Sequence, residues 1–222
     1  MIRLESLAAP EARARLAELE QRRLHAEAAG LDPPESARRG YREAVVKQAI
    51  VEETCDKCAY CETKVTHSQY GDVEHIRPKA VYPELLLDYD NLTLACRKCN
   101  GQKLDYDDPD EPLLNPYVDE PRDHLMSMGA LVRHVFGDRR AETTVAVVGL
   151  NRPGLVERRD ERIQKVGHFA DKVAVQPEGP LRDYLETELE REVDNCSEYS
   201  FVVREFLRLG GWPFAAGAVE EA

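Results

Sequence analysis

The stretch that decides the fold runs from residue 55 to residue 105 and holds two Cys-x-x-Cys pairs. Its chemistry-bearing segments are, in order, Cys58-Ala-Tyr-Cys61, Gly71-Asp-Val-Glu-His-Ile-Arg-Pro-Lys79, Asp90-Asn91-Leu92 and Cys96-Arg-Lys-Cys99-Asn100-Gly-Gln-Lys103. Sulfur ligands therefore bracket a Glu-His pair and two asparagines. This combination calls for two metal ions with different tasks.

The two cysteine pairs predict one structural zinc site. Two intervening residues let both thiolates of a pair face one ion, and two such pairs complete the tetrahedral four-sulfur site that zinc prefers. The interval between the pairs, residues 62–95, is longer than in a bare zinc ribbon. We therefore expect Cys58, Cys61, Cys96 and Cys99 to hold Zn²⁺ at the base of an insert that carries the function.

Two further cysteines stand outside this pattern. Cys55 lies three residues before Cys58 and offers a competing pair, but Cys58 with Cys61 matches the second pair better. We therefore treat Cys55 as a spectator. Cys196 is isolated in the sequence, and we expect it to be a small buried apolar residue.

The insert supplies residues suited to hydrolysis of a phosphodiester. Glu74 is a hard oxygen ligand of the kind that Mg²⁺ binds, and His75 is the side chain most easily poised as a general base. Asn100 offers a second oxygen ligand, and Asn91 lies within reach of the loop that carries His75. A lone histidine on a strand is more often a satisfied surface or core residue, so the inference depends on the whole set.

Residues 58–103 resemble an HNH endonuclease of the zinc-stapled ββα-metal type. The resemblance implies that His75 is the general base that activates water and that Asn91 orients His75. It also implies that Glu74 and Asn100 hold a catalytic Mg²⁺ or Mn²⁺ ion. The first ligand is glutamate here, where aspartate is commoner.

Lys103 follows Asn100 by three residues, so both would share one face of a helix. It could hold the scissile phosphate or be an ordinary solvated lysine, and the pattern leaves both open.

Three downstream segments extend the resemblance. Leu113-Leu-Asn-Pro116, Gly149-Leu-Asn-Arg152 and Leu155 with Arg159 are similar to the HNH subunits of Septu-type anti-phage systems, the PtuB-like proteins, also found beside some retrons. In that family the nuclease is paired with an ABC- or SMC-like ATPase (PtuA-like). The resemblance therefore implies a DNA substrate and an ATPase partner.

The charge distribution of the chain agrees with a nuclease that depends on a partner to hold DNA. The net charge of the 222 residues is −12, whereas phosphate neutralisation by cations supplies most nonspecific affinity for DNA. Residues 55–105 carry seven lysines and arginines against eight acids, but residues 106–123 carry one against seven and residues 178–222 carry four against eleven. The excess of acid lies outside the presumed site.

The predicted fold class is α+β and mostly helical, with a zinc-stapled ββα-metal HNH core flanked by helices. We expect an N-terminal helical segment (1–54), the nuclease core (55–117) and a mainly helical accessory region (118–222). Helices are predicted from Pro10, over about 36–51, from Leu155 to Val173, and near 181–193 and 197–209. Two strands are expected within 62–78 around Gly71-Asp72, a hairpin within 124–136, and a loose tail at Trp212.

Two questions stay open at this point. The helix with Arg158 and Lys165 forms the basic surface of the chain and could contact DNA or an acidic partner, or be a solvated mixed-charge face. A stand-alone restriction-type nuclease and a catalytically silent zinc-stapled scaffold remain alternatives. Because no long apolar run or signal peptide is evident, we expect a cytoplasmic protein with no membrane contact.

Overall fold

The computed structural model describes residues 1–65 and 71–212. In chain order the helices and strands are α1 (Pro10–Ala28), α2 (Glu35–Arg38), α3 (Ala44–Glu53), β1 (Asp72–His75), β2 (Leu92–Ala95), α4 (Arg97–Lys103), α5 (Pro121–His124), β3 (Leu125–Met128), β4 (Leu131–His134), α6 (Arg139–Val147), α7 (Pro153–Ala174), α8 (Pro180–Arg191) and α9 (Ser200–Leu209). Short 3₁₀ turns occupy Gly40–Arg42, Pro83–Leu85 and Tyr89–Asn91. The α+β, mostly helical class is confirmed.

The centre of the molecule is a ββα unit made of β1, β2 and α4. The two strands are antiparallel, with Asp72 opposite Ala95 and His75 opposite Leu92. β2 is buried along its whole length. Helix α4 follows directly, and the Cys96 sulfur accepts a hydrogen bond from the Cys99 amide at 3.4 Å, as an N-terminal cap. The second cysteine pair therefore also starts the helix.

Of the two strands predicted within 62–78, the structure describes one, β1. It pairs with β2, and Lys64 forms an isolated bridge to Lys57. Residues 66–70, where the other strand was expected, lie outside the described residues.

The predicted helix over 36–51 is broken into α2, a 3₁₀ turn and α3. Gly40 lies in the 3₁₀ turn and packs closely on α1, since a Cβ there would stand 2.4 Å from the Leu19 side chain. Glu43 then takes an extended conformation, with φ −59° and ψ 148°, before α3 begins. The break turns Tyr41 inward, where it is buried.

The accessory region packs around the central unit. The hairpin of β3 and β4 forms as predicted, and α7, α8 and α9 occupy the three predicted helical stretches. The carboxylate of Glu62, next to Cys61, accepts hydrogen bonds from the Ser200 hydroxyl and the Phe201 amide at 3.1 Å each. Trp212 packs against the core rather than lying loose; residues 213–222 lie outside the described residues.

Cys55 lies outside the four-cysteine cluster, as expected, but the expectation of a buried, isolated Cys196 was wrong. Cys196 is exposed, and the two form a disulfide with 5.1 Å between their Cα atoms. They meet because the α8–α9 loop lies on the turn before Cys58, where Lys57 donates to the carbonyls of Asn195 and Ser197. A pairing across 141 residues leaves no mark in local spacing.

Among the described residues, no helix is long and apolar enough to cross a membrane.

Candidate active site and cysteine centre

The four cysteines of the two pairs meet at one point. The sulfur atoms of Cys58, Cys61, Cys96 and Cys99 all lie within 4.8 Å of one another, and all four are free thiols. Cys96 is half-buried and the other three are buried. Four converging sulfurs in a closed pocket are the donor set and the geometry of a structural zinc site.

Arg152 lies directly on this cysteine centre. Its guanidinium donates to the sulfurs of Cys99 and Cys61 at 3.5 Å each and of Cys96 at 3.8 Å. Thiolates around a divalent ion keep an excess of negative charge, which the guanidinium offsets. Sequence alone identified Arg152 as the last residue of the Gly149-Leu-Asn-Arg152 segment, whereas the structure places its guanidinium on the cysteines.

Contacts of the Gly149-Leu-Asn-Arg152 segment position this arginine. Gly149 has φ +64°, and a Cβ there would lie 2.4 Å from the amide oxygen of Gln102 on α4. The Asn151 side chain accepts from the Val132 amide at 2.9 Å and donates to the Val132 carbonyl at 2.7 Å. The segment thus joins α4, the β3–β4 hairpin and the cysteines.

The proposed ligand residues stand at the other side of the same unit. Asp72 and Glu74 are two apart on β1, so their side chains leave the same face of the strand. The Asn100 amide nitrogen donates to the Asp72 carboxylate at 3.1 Å. Asp72, Glu74 and Asn100 all line one cavity of about 580 Å³. Hard oxygen donors therefore gather on one wall.

Lys103 is engaged on the protein itself. Its ammonium donates to the Glu74 carboxylate and to the His75 carbonyl, each at 2.9 Å, and the residue is 2 % exposed. Burial raises the pKa of Glu74, and the charge of Lys103 opposes that rise. Lys103 thereby favours the ionised carboxylate that a metal requires.

His75 is held as a neutral imidazole. Its Nε2 atom lies 3.0 Å from the Leu86 carbonyl oxygen, so Nε2 carries the hydrogen and Nδ1 keeps a free lone pair. Burial lowers the pKa of His75 to about 4, against a weaker opposing effect of the Leu86 carbonyl. The side chain is therefore ready to accept a proton at neutral pH.

The Asn91 side chain joins two parts of the loop that follows His75. Its amide oxygen accepts from the Arg77 amide at 2.8 Å, and its amide nitrogen donates to the carbonyls of Arg77 at 3.0 Å and Leu85 at 3.4 Å. Leu85 precedes the residue whose carbonyl holds His75. One buried side chain thus ties the strand end to the segment whose carbonyl holds the His75 ring.

Two cavity residues were missed by the sequence analysis. Tyr41 contacts His75 edge-on, with 4.6 Å between ring centroids, and its hydroxyl accepts a hydrogen bond from Lys79 at 2.8 Å. Asp72 contacts Asn100. The period of two along a strand could have identified Asp72 from Glu74, but nothing local indicated Tyr41.

Comparison with known protein families identifies the segment that carries this site. The HNH endonuclease family matches residues 58–105. Residues 58–105 are an HNH endonuclease domain. The HNH domain thus spans both cysteine pairs and every proposed ligand and base, which confirms the resemblance to this family.

Three relatives extend the comparison beyond the HNH domain. "Septu protein PtuB" of Bacillus thuringiensis is 38% identical over 107 residues, covering 48% of this chain and 41% of the relative. "Septu protein PtuB" of Bacillus mycoides (strain KBAB4) is 28% identical over 203 residues, covering 73% and 68%. A candidate retron HNH endonuclease of Vibrio cholerae serotype O1 biovar El Tor is 28% identical over 126 residues, covering 49% and 58%. The chain therefore spans about two fifths of the length of the first relative, and the resemblance to PtuB-like proteins is confirmed.

Proposed function

We propose that this chain is a metal-dependent endonuclease that hydrolyses DNA phosphodiester bonds in anti-phage defence. The observation that carries the proposal is His75, a neutral imidazole that lines the same cavity as Asp72, Glu74 and Asn100. A base beside a wall of hard oxygen ligands is the arrangement that hydrolysis of a phosphodiester requires.

Each residue has one task in this proposal. His75 accepts a proton from the attacking water at Nδ1, while the Leu86 carbonyl keeps the ring in the required tautomer. Asn91 positions that carbonyl and the strand end. Glu74 and Asn100 would hold the divalent cation, Mg²⁺ or Mn²⁺. When bound, the ion polarises the phosphate and stabilises the leaving oxygen.

The donor set supports a hard cation at this position. Glu74 keeps one carboxylate oxygen on Lys103, and its buried carboxylate carries charge at a site lined by a second carboxylate. Magnesium binds through one or two carboxylates and retains several waters, which a cavity of about 580 Å³ can hold. We therefore assign Lys103 to positioning Glu74 rather than to the scissile phosphate.

The cysteine centre has a structural task in the proposal. Four buried or half-buried thiols within 4.8 Å of one another suit Zn²⁺ and leave no open position for a substrate. Thiolate ligation also supports a cytoplasmic setting, because an oxidising compartment would pair adjacent thiols such as Cys61 and Cys96, 3.8 Å apart. The Cys55–Cys196 disulfide favours the opposite setting, and the four free thiols outweigh it.

We further propose that the chain works with an ABC- or SMC-like ATPase. The similarity to PtuB-like proteins, a family in which the nuclease is paired with such an ATPase, and the acidic flanking segments support this partnership. Screening limits electrostatic attraction to about 8 Å at physiological salt. A nuclease with a net charge of −12 therefore gains from a partner that holds the DNA.

The test is DNA cleavage by the purified chain and by the chain co-expressed with a PtuA-like ATPase. Each sample is incubated with plasmid DNA in Mg²⁺, in Mn²⁺ and in a chelator, and the complex is checked by size-exclusion chromatography. We expect metal-dependent cleavage that the ATPase increases, and co-elution of the two proteins. No cleavage by either sample would overturn the nuclease assignment, and separate elution would overturn the partnership.

A further inference from the structure

A second open groove adjoins the active-site cavity. It has a volume of about 1020 Å³ and shares Gly71, Asp72 and Arg97 with that cavity. Its walls are the loop after the first cysteine pair, the start of α4 and the start of α7. The two cavities therefore form one continuous surface depression that runs from His75 toward α7.

The groove is basic in an acidic protein. Five cations and three acids line it: Lys64, Arg97, Lys98, Arg152, Arg158, Asp72, Glu157 and Glu198. Of the acids, Glu198 accepts the Lys64 amide at 2.9 Å and Asp72 accepts from Asn100. The local excess of positive charge contrasts with the net charge of −12 for the whole chain.

Three cations of the groove lack a carboxylate partner, whereas several arginines elsewhere have one. Arg15, Arg23 and Arg140 each hold a carboxylate at 2.8 Å or less. Within residues 1–65 and 71–212, Arg97, Lys98 and Arg158 have no carboxylate oxygen within 4.0 Å, and all three are exposed. Cations left unpaired along one groove, in a chain rich in carboxylates, indicate an anionic ligand from outside.

We propose that this groove carries the sugar-phosphate backbone of the DNA strand that passes through the active site. The proposal rests on the nuclease function proposed above. A polymer cut inside a chain must continue beyond the scissile bond, and the continuous depression gives it a path over Arg97. Lys98 and Arg158 would contact phosphates along this path, since phosphate contacts position DNA without reading sequence.

The position of the groove also distinguishes the cations of α7 that could contact DNA from those that could not. Arg159 points inward, donating to the Leu150 carbonyl at 2.7 Å, and Arg162 pairs with Glu192. Lys165 and Lys172 are exposed but lie farther along α7, outside the groove lining. Arg158 is thus the exposed cation of α7 that faces the groove, and Lys165 with Lys172 provide a control on the same helix.

The experiment compares two double variants in the His75→Ala background. Lys98→Gln/Arg158→Gln removes two groove cations, and Lys165→Gln/Lys172→Gln removes two control cations with the same change in net charge. Fluorescence anisotropy with a short labelled duplex, in chelator and across a salt titration starting at low salt, measures affinity. We expect the groove variant to bind at least about tenfold more weakly at low salt. Its slope of log K against log salt should fall by about one per lost contact.

The control variant should bind like its His75→Ala parent, and thermal unfolding should show all three proteins folded. Equal weakening of both double variants would mean a general charge effect and would overturn the proposal. Unchanged DNA binding by the groove variant would also overturn the proposal. So would a groove variant that binds DNA normally but no longer binds the ATPase partner. Cleavage by the wild-type chain is read separately with metal, so failure of the nuclease function is distinguishable from failure of the groove.

Discussion

The two sides of the ββα unit hold metal-type sites of opposite design. On one side, four sulfurs converge within 4.8 Å under the guanidinium of Arg152. On the other side, carboxylate and amide oxygens and His75 face an open cavity of about 580 Å³. The same short strands and helix position both sets, because Cys96, Cys99 and Asn100 follow β2 directly.

The difference shows how one motif separates stability from chemistry. The sulfur side brings four thiols together beneath a guanidinium, a donor set that would leave a bound zinc ion no open position for a substrate. The oxygen side keeps open space, exposed cations and a base whose pKa of about 4 leaves it neutral at physiological pH. Changes on the sulfur side should therefore unfold the protein, whereas changes on the oxygen side should silence it.

The largest expected effect is from Cys96→Ser. Structural zinc in small domains contributes on the order of 10 kcal/mol, as much as the whole stability of many proteins. We expect the variant to lose its zinc and to unfold, measured by metal analysis and circular dichroism. Cys196→Ser, which breaks only the disulfide, is the control and should keep about one zinc per chain. A folded, zinc-free Cys96→Ser protein would contradict the structural role.

Loss of a ligand on the oxygen side comes next. Glu74→Ala and Asn100→Ala should each reduce cleavage by about 100-fold or more. Asn100→Ala should keep an unfolding temperature near that of the wild type, whereas Glu74→Ala should lower it, because the buried Lys103 loses its carboxylate partner. High Mn²⁺ should restore part of the activity, since the remaining ligands bind it more tightly than Mg²⁺. Asp105→Ala, which alters another acid lining the cavity, should keep the wild-type metal requirement. Identical metal titrations for Asn100→Ala and wild type would remove Asn100 from the ligand set.

Arg152→Gln should have an intermediate effect on the sulfur side. Outer partners of metal ligands typically change metal affinity by about 10- to 100-fold. We expect faster transfer of zinc to a coloured chelator from a protein that is still folded, with Arg152→Lys lying between the variant and the wild type. Equal transfer rates for all three proteins would show that the guanidinium has no influence on the cysteines.

The smallest effect should come from Tyr41→Phe. This change removes the hydrogen bond from Lys79 but keeps the ring against His75, and one hydrogen bond contributes about 1 kcal/mol. We expect cleavage to fall by less than about tenfold, and to fall further in Tyr41→Ala, where the ring is absent. Steady-state rates with both metals measure this. Wild-type activity in Tyr41→Ala would show that the ring does not position the base.

Local spacing was enough to predict the four-cysteine cluster and to indicate the proposed oxygen-ligand site. Cys58 with Cys61, and Cys96 with Cys99, are set by two intervening residues, and Glu74 with His75 are adjacent. These relations hold in any fold that contains the segment. The α+β class followed from the same stretch, together with helical periodicity in the flanks.

The features that sequence reasoning missed are all long-range. Tyr41 contacts His75 from the break between α2 and α3, where Gly40 packs against Leu19. Arg152 contacts the cysteines from the accessory region. The disulfide joins residues 141 apart. Such contacts depend on how separate elements pack, which no local pattern encodes.

The most direct test of the account is the rate of DNA cleavage by His75→Ala under matched Mg²⁺, measured beside zinc content and unfolding temperature. Loss of a general base lowers rates by about 10²- to 10⁴-fold. We predict a loss in that range with about one zinc per chain and an unfolding temperature close to that of wild type, while His168→Ala, an exposed histidine on α7, cuts normally. Cleavage at the wild-type rate by His75→Ala would contradict the assignment of the oxygen side as the active site.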